Sequence, residues 1–183
     1  MVAMAEPAFL DDTIALQERT PRVLHELLGG LPASWLGEPD SRGGWTARDV
    51  VGHLISAEIA NWIPRIEILL EHGTQRPFDD FDRFAHVERD GGVSVSELID
   101  RFSELRMQSL KRLRELVRDE ADLERLGHHP ELGEVKLSQL LSAWAVHDLD
   151  HVQQVFAALA GSRDEAVGPW KAYLGILRSR EEG

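Results

Sequence analysis

The chain has 183 residues, the usual size of one domain with one core, and its 43% apolar and 28% charged residues exclude a largely disordered or collagen-like polymer. Lys and Arg number 20 against 32 Asp and Glu, a net charge of −12 that repels phosphate backbones and anionic membrane surfaces and argues against a nucleic-acid partner. With no cysteine, thiolate catalysis, disulfides, cysteine zinc sites and iron–sulfur clusters are all excluded, so any metal must be held by His, Asp or Glu.

Met1 to Pro7 carries neither a basic nor an apolar signal region, and no run of 18 apolar residues occurs anywhere. The expectation is a cytoplasmic protein of one domain, residues 1–183, with no membrane partner. From Leu10 to Leu28 apolar residues recur at three- or four-residue intervals, which predicts a first helix bent at Pro21 and ended by Gly29-Gly30. Leu31 to Gly44 reads as a loop through Pro32, Pro39 and Gly43. Thr46 with Asp49 forms a capping-box signature that opens a second helix running to about Glu71 and kinked by Pro64.

His72 to Val93 has no clear period and is a long connection for a compact domain, which points to a functional or crossing segment. About 20 extended residues can span roughly 66 Å against roughly 38 Å for a helix of about 25 residues. The segment can therefore return along the molecule and leave helices two and three parallel. Ser94 with Glu97 caps a third helix through Leu116, and Gly127, Pro130 and Gly133 mark the next break. Leu137 to Ala160 is the fourth helix, closed by Gly161, and Trp170 to Leu177 makes a short C-terminal helix. No convincing alternating strand is visible, so the class is all-α, built from four helices.

The stretch that carries chemistry is Ala145-Val-His-Asp-Leu-Asp-His-Val-Gln-Gln154. His147 and His151 are i and i+4 on the fourth helix, the spacing that brings two imidazoles to one metal ion. Counting about 100° per residue, Leu140, Trp144, His151, Val155 and Ala158 all fall within about 80° of His147, so both histidines point inward with the apolar stripe. Buried together they need partners for four ring nitrogens, supplied either by carboxylates and carbonyls or by a shared metal. His53 on the second helix shares its face with Val50, Ala57 and Ala60 and is the candidate third ligand. Three histidines would leave coordination positions open, as in a catalytic rather than a structural site.

His25, in His-Glu-Leu-Leu-Gly, lacks the second histidine of a zinc-protease motif. His72, His86, His128 and His129 fall in loops or helix ends and are read as solvated, His86 approaching the site only if the long loop folds over it. Glu58, Asp148 and Asp150 are candidates for orienting the imidazoles or for acid–base work, although exposed helix carboxylates would look the same.

Trp45-Thr-Ala-Arg-Asp-Val-Val-Gly-His53 with Glu58, Leu137-Ser-Gln-Leu-Leu, Trp144-Ala-Val-His-Asp-Leu-Asp-His151-Val-Gln-Gln and Trp170 to Leu177 together resemble the DinB-like (damage-inducible) superfamily. The resemblance spans about Leu10 to Leu177. It implies a four-helix bundle of up-down-down-up topology and a divalent metal, zinc or nickel, held by His53, His147 and His151. Similar proteins include thiol-dependent S-transferases, a mycothiol-dependent isomerase and hydrolases that detoxify small electrophiles. The function expected is thus thiol-dependent S-transfer or hydrolysis of a small-molecule substrate, the cation lowering the pKa of a water or a low-molecular-weight thiol cosubstrate. A non-catalytic metal- or ligand-binding bundle of the stress response is the rival, a plain bundle with buried histidines the third reading, and a homodimer stays open.

Overall fold

Both capping boxes are formed. The Thr46 backbone N–H donates to Asp49 Oδ2 at 3.0 Å and the Asp49 N–H to Thr46 Oγ1 at 3.2 Å, starting the helix α4, Ala47–Ala60. Ser94 and Glu97 exchange the same pair of bonds at the start of the 22-residue helix α7, Val95–Leu116. The computed structural model describes residues 9–36 and 44–177, so Met1 to Pro7 and the loop positions Pro39 and Gly43 lie outside the described residues.

The first predicted helix is two helices, α1 (Phe9–Gln17) and α2 (Thr20–Leu28), with the break one turn ahead of Pro21. A short α3 follows at Ala33–Leu36. The second is likewise divided into α4 (Ala47–Ala60) and α5 (Trp62–His72), with Asn61 at φ −113° and ψ −67° between them. Pro64 explains the position: it offers no N–H to the Ala60 carbonyl and its ring would clash with that carbonyl, so the chain bends in the turn before it. The fourth long helix, α8, runs from Leu137 to Gly161.

Two apolar layers give the directions of these helices. In one, Val50, Val51, Leu54 and Ile55 of α4 meet Leu98, Ile99 and Phe102 from the start of α7 and Val155, Ala158 and Leu159 from the end of α8, with Leu24 and Leu28 from the end of α2. In the other, Ile66 and Leu69 of α5 meet Leu110 and Leu113 from the end of α7, Leu140, Leu141 and Trp144 from the start of α8, and Ile14 of α1. The α4/α5 pair and α7 therefore run parallel, as the ion pairs Arg106–Glu58 and Arg112–Glu67 also require. Helices α1/α2 and α8 run the other way. The bundle is up-down-down-up.

Three further features differ from expectation. Leu126–His129 (β1) and Gly133–Lys136 (β2) form an antiparallel hairpin. Gly127 hides that strand in the sequence, yet it is required: a Cβ there would lie 2.9 Å from both Leu69 Cγ and Phe78 Cζ. The long connection is not bare loop, since His86–Arg89 forms a turn of helix, α6, and the Phe78 N–H donates to the His128 carbonyl at 2.9 Å. The expected C-terminal helix is a pair of 3₁₀ turns, Gly168–Tyr173 and Gly175–Leu177, preceded by a short α9 at Asp164–Val167. Pro169 and Gly175 interrupt the hydrogen-bond ladder that an α-helix would need. Among the described residues no helix is long and apolar enough to cross a membrane.

Candidate metal centre

Residues Val50 to Glu58 of α4 are buried all round, because α7, α8 and α6 cover it on three sides. This places His53 inside, 4% exposed, facing α8. On α8 the anticipated stripe holds, with Leu140, Trp144, Val155 and Ala158 buried and His147 and His151 aligned with them. The three histidines converge so that one ring nitrogen of each lies within 4.8 Å of the others. His147 Nε2 sits 3.3 Å from His53 Nε2 and 3.1 Å from His151 Nε2. Ligands about 2.0–2.1 Å from a tetrahedral ion stand roughly 3.3 Å apart, so these separations fit one shared cation.

Proton placement points the same way. The His53 Nδ1–H donates to the Arg83 carbonyl at 3.2 Å and the His151 Nδ1–H to Gln154 Oε1 at 2.9 Å. Each bond fixes the proton on Nδ1 and leaves Nε2 bare and turned toward its neighbours. His147 has one Nε2, which cannot donate well to both of them, whereas a cation accepts all three lone pairs. Burial, reinforced by the neighbouring His151, holds His53 down at about 4 and His147 at about 2, and burial lowers His151 as well. All three are thus neutral at pH 7, the state that metal ligation requires.

Aromatic rings enclose the cluster. Trp45, just ahead of the Thr46 cap, packs 4.7 Å from the His53 ring and stacks on His151 at 6.2 Å. Trp62 meets His147 edge-on at 5.0 Å and stacks on Trp144. Phe81 from the long connection closes on His53 at 5.6 Å. That connection is fastened to α4: Arg89 donates from Nη1 to Ser56 Oγ and from Nη2 to the Gly52 carbonyl, each at 2.8 Å, and Arg48 Nε donates to the Val93 carbonyl at 3.0 Å. Gly52 permits this close approach, since a Cβ there would stand 2.8 Å from Asp90 Oδ2 and 3.0 Å from His86 Cβ.

The carboxylates named from sequence go to different places. Glu58 and Asp148 are buried and both grip Arg106, which donates to Glu58 Oε1 at 2.8 Å and to Asp148 Oδ1 at 2.9 Å while Thr20 Oγ1 donates to Asp148 Oδ2 at 2.7 Å. Burial raises the Glu58 pKa against the pull of Arg106. Burial alone would lower the Arg106 pKa, but the two carboxylates raise it. This network ties α2, α4, α7 and α8 together through the centre of the bundle. Asp150 is exposed and lines the cavity of about 570 Å³ in front of the histidines.

His86, read from sequence as solvated, is 2% exposed and packs on Trp45 at 4.9 Å, because the connection does fold over the site. Its ring stays outside the converging set. His72, His128 and His129 are half-buried, the last of them in the cavity wall. Trp45 stands at the head of the motif ending in His53, whereas the Arg83 carbonyl, a backbone group, carries no pattern that would have marked it. Gln154 could have been found, standing one turn beyond His151.

A family profile described as DinB superfamily matches residues 17–155, which includes every residue of the converging set. The chain belongs to the DinB superfamily. A relative of this DinB chain in Bacillus mycoides (strain KBAB4), named "Putative metal-dependent hydrolase", is 26% identical over 147 residues, covering 80% of this chain and 83% of that protein. A protein of the same name in Bacillus cereus (strain 03BB102) matches to the same extent. The fold agrees with YfiT from Bacillus subtilis, described as "a probable metal-dependent hydrolase with an unusual four-helix bundle topology", at a TM-score of 0.72 and 24% identity over 91% of this chain and 92% of that one.

Proposed function

We propose that this chain is a metal-dependent enzyme that hydrolyses a small molecule, with one divalent cation held by Nε2 of His53, His147 and His151. The observation that carries the reading is the convergence of three neutral imidazoles, two of them with Nδ1 protons fixed by Arg83 and Gln154. A zinc or nickel ion in that place supplies Lewis acidity, polarising a substrate oxygen and lowering the pKa of an attacking water. The protein's own groups do the rest. Trp45, Phe81 and Trp62 exclude bulk water from the inner side of the imidazoles and hold their planes. The Asp150 carboxylate, outside the Arg106 network and lining the cavity, is placed to take up a proton at its oxygens. Because the chain has no cysteine, thiol transfer at the same centre would need an external thiol.

Elemental analysis of protein purified without a nickel-affinity tag tests the site: about one divalent cation per chain is expected, lost in His151→Ala and retained in His25→Ala. Equal metal content in wild type and His151→Ala refutes it. Loaded and metal-free protein are then compared on esters, amides, lactones and epoxides, with and without low-molecular-weight thiols. Hydrolysis independent of thiol, with solvent oxygen in the product, is expected. Strict thiol dependence with thioether formation replaces hydrolysis by transfer, and equal rates for loaded and metal-free protein leave a binding module.

A further inference from the structure

The cavity in front of the histidines contains polar groups that the chain itself leaves without partners. Asn61, at the break between α4 and α5, is 5% exposed, and its Oδ1 has no hydrogen-bond partner among the described residues. One turn further on, the buried Nε of Arg65 likewise has none, and its guanidinium forms no ion pair among the described residues. Arg89 and Arg106, by contrast, both engage carboxylates. Arg65 instead lies over the Phe78 ring, 5.5 Å from its centre, and is half-buried. A buried N–H left without an acceptor is costly to keep, and a cavity wall is where a ligand can satisfy it.

The hairpin adds a donor of fixed orientation. His129 packs edge-on against the same Phe78 at 6.1 Å, and its Nδ1 accepts the backbone N–H groups of Glu131 at 3.2 Å and Leu132 at 3.3 Å. With Nδ1 occupied as acceptor, the neutral ring carries its proton on Nε2. Arg65 and His129 are near enough for the charge of one to be felt by the other, and both line the cavity that His147 and His151 line. Four acids also border this space, Asp79, Asp80, Glu131 and Asp150; all are exposed, Asp79 is held by Arg76 at 2.9 Å, and Asp80 is near enough for its charge to act on Arg65 without forming an ion pair with it among the described residues. Charges held in water at the rim are screened, whereas the buried edge of the Arg65 guanidinium, its Nε, keeps a donor for a ligand in the cavity.

We propose that Arg65, assisted by His129 Nε2–H, receives a carboxylate-type oxyanion on the substrate while Asn61 Oδ1 accepts a neighbouring N–H or O–H, so that the enzyme's substrates are small organic acids. This rests on the reading of the three histidines as a metal centre. Arg65 here is a specificity-determining residue and takes no part in bond breaking.

Hydroxamates that chelate the metal test it without knowledge of the substrate. A series of ω-carboxyalkyl hydroxamates with two to five methylenes is compared with the methyl-ended isosteres by calorimetry on zinc- or nickel-loaded protein. The best acid should bind about tenfold or more tightly than its isostere in wild type. In Arg65→Gln that preference should fall below about threefold, with the affinity of the methyl-ended compounds unchanged, and Arg65→Lys should restore part of it. Thermal melting of each variant confirms the fold, and His129→Phe, which keeps the contact with Phe78, should weaken the preference in the same direction. Acid and isostere binding equally well to wild type refutes the subsite and leaves the metal centre standing. Failure of every hydroxamate, charged or neutral, refutes the metal centre and the subsite with it.

Discussion

Replacing Arg106 by Met should unfold much of the margin that keeps this bundle native. Arg106 is 1% exposed, and its guanidinium is the cation facing the side chains of Glu58 and Asp148, both 0% exposed. Removing it leaves two carboxyls in a desolvated centre and strips the Gln17 carbonyl of its donor at 3.0 Å. Breaking a buried pair from one side costs about 3–5 kcal/mol, against a total stability of roughly 5–15 kcal/mol. For a chain of this length that corresponds to a fall in Tm of roughly 6–20 °C. Thermal melting and urea titration followed by circular dichroism measure it. Substituting all three groups together, Glu58→Leu, Arg106→Met and Asp148→Leu, removes the uncompensated charge and should recover at least half of the loss. A change of under about 1 kcal/mol in Arg106→Met would refute the assignment of this network as the centre that locks α4, α7 and α8 in register.

Gly52→Ala should destabilise by about 1–3 kcal/mol and weaken metal binding, since the new methyl displaces Asp90 and His86 and with them the connection that brings the Arg83 carbonyl to His53. Melting curves and competitive metal titration read both effects. Gln154→Ala should lower metal affinity about 10- to 100-fold with little change in Tm, because the proton on His151 Nδ1 loses its fixed acceptor. Metal-free protein should be acid-labile. His53 is held at about 4 when folded and returns to the ordinary value near 6.5 when unfolded, so the unfolded chain binds more protons between those values. That stability is complete above pH 6.5 and is lost as the pH falls towards 4, on the order of 3 kcal/mol for this residue. His147 adds in the same direction. Urea titrations at stepped pH should show the slope, and a metal-free stability that is flat from pH 6.5 to 4 would contradict it.

What the sequence determined by itself was whatever depends on near neighbours. The two capping boxes, the inward stripe of α8 and the i, i+4 pair of His147 and His151 are set by spacing within one helix, and each is present in the structure. The length of the connection from His72 to Val93 allowed parallel helices, because chain reach is a local quantity too. Only the tertiary structure could decide which partner each buried polar group takes. Glu58, Asp148 and Asp150 look alike as helix carboxylates, yet two bind Arg106 from another helix and the third faces the cavity. His86 is covered because Gly52 lets the connection close over α4, and the hairpin strand packs against Phe78 and Leu69 because Gly127 puts no side chain where they stand. A hydrogen bond across the bundle joins residues tens of positions apart, and nothing in the local pattern at either end records the distance between them.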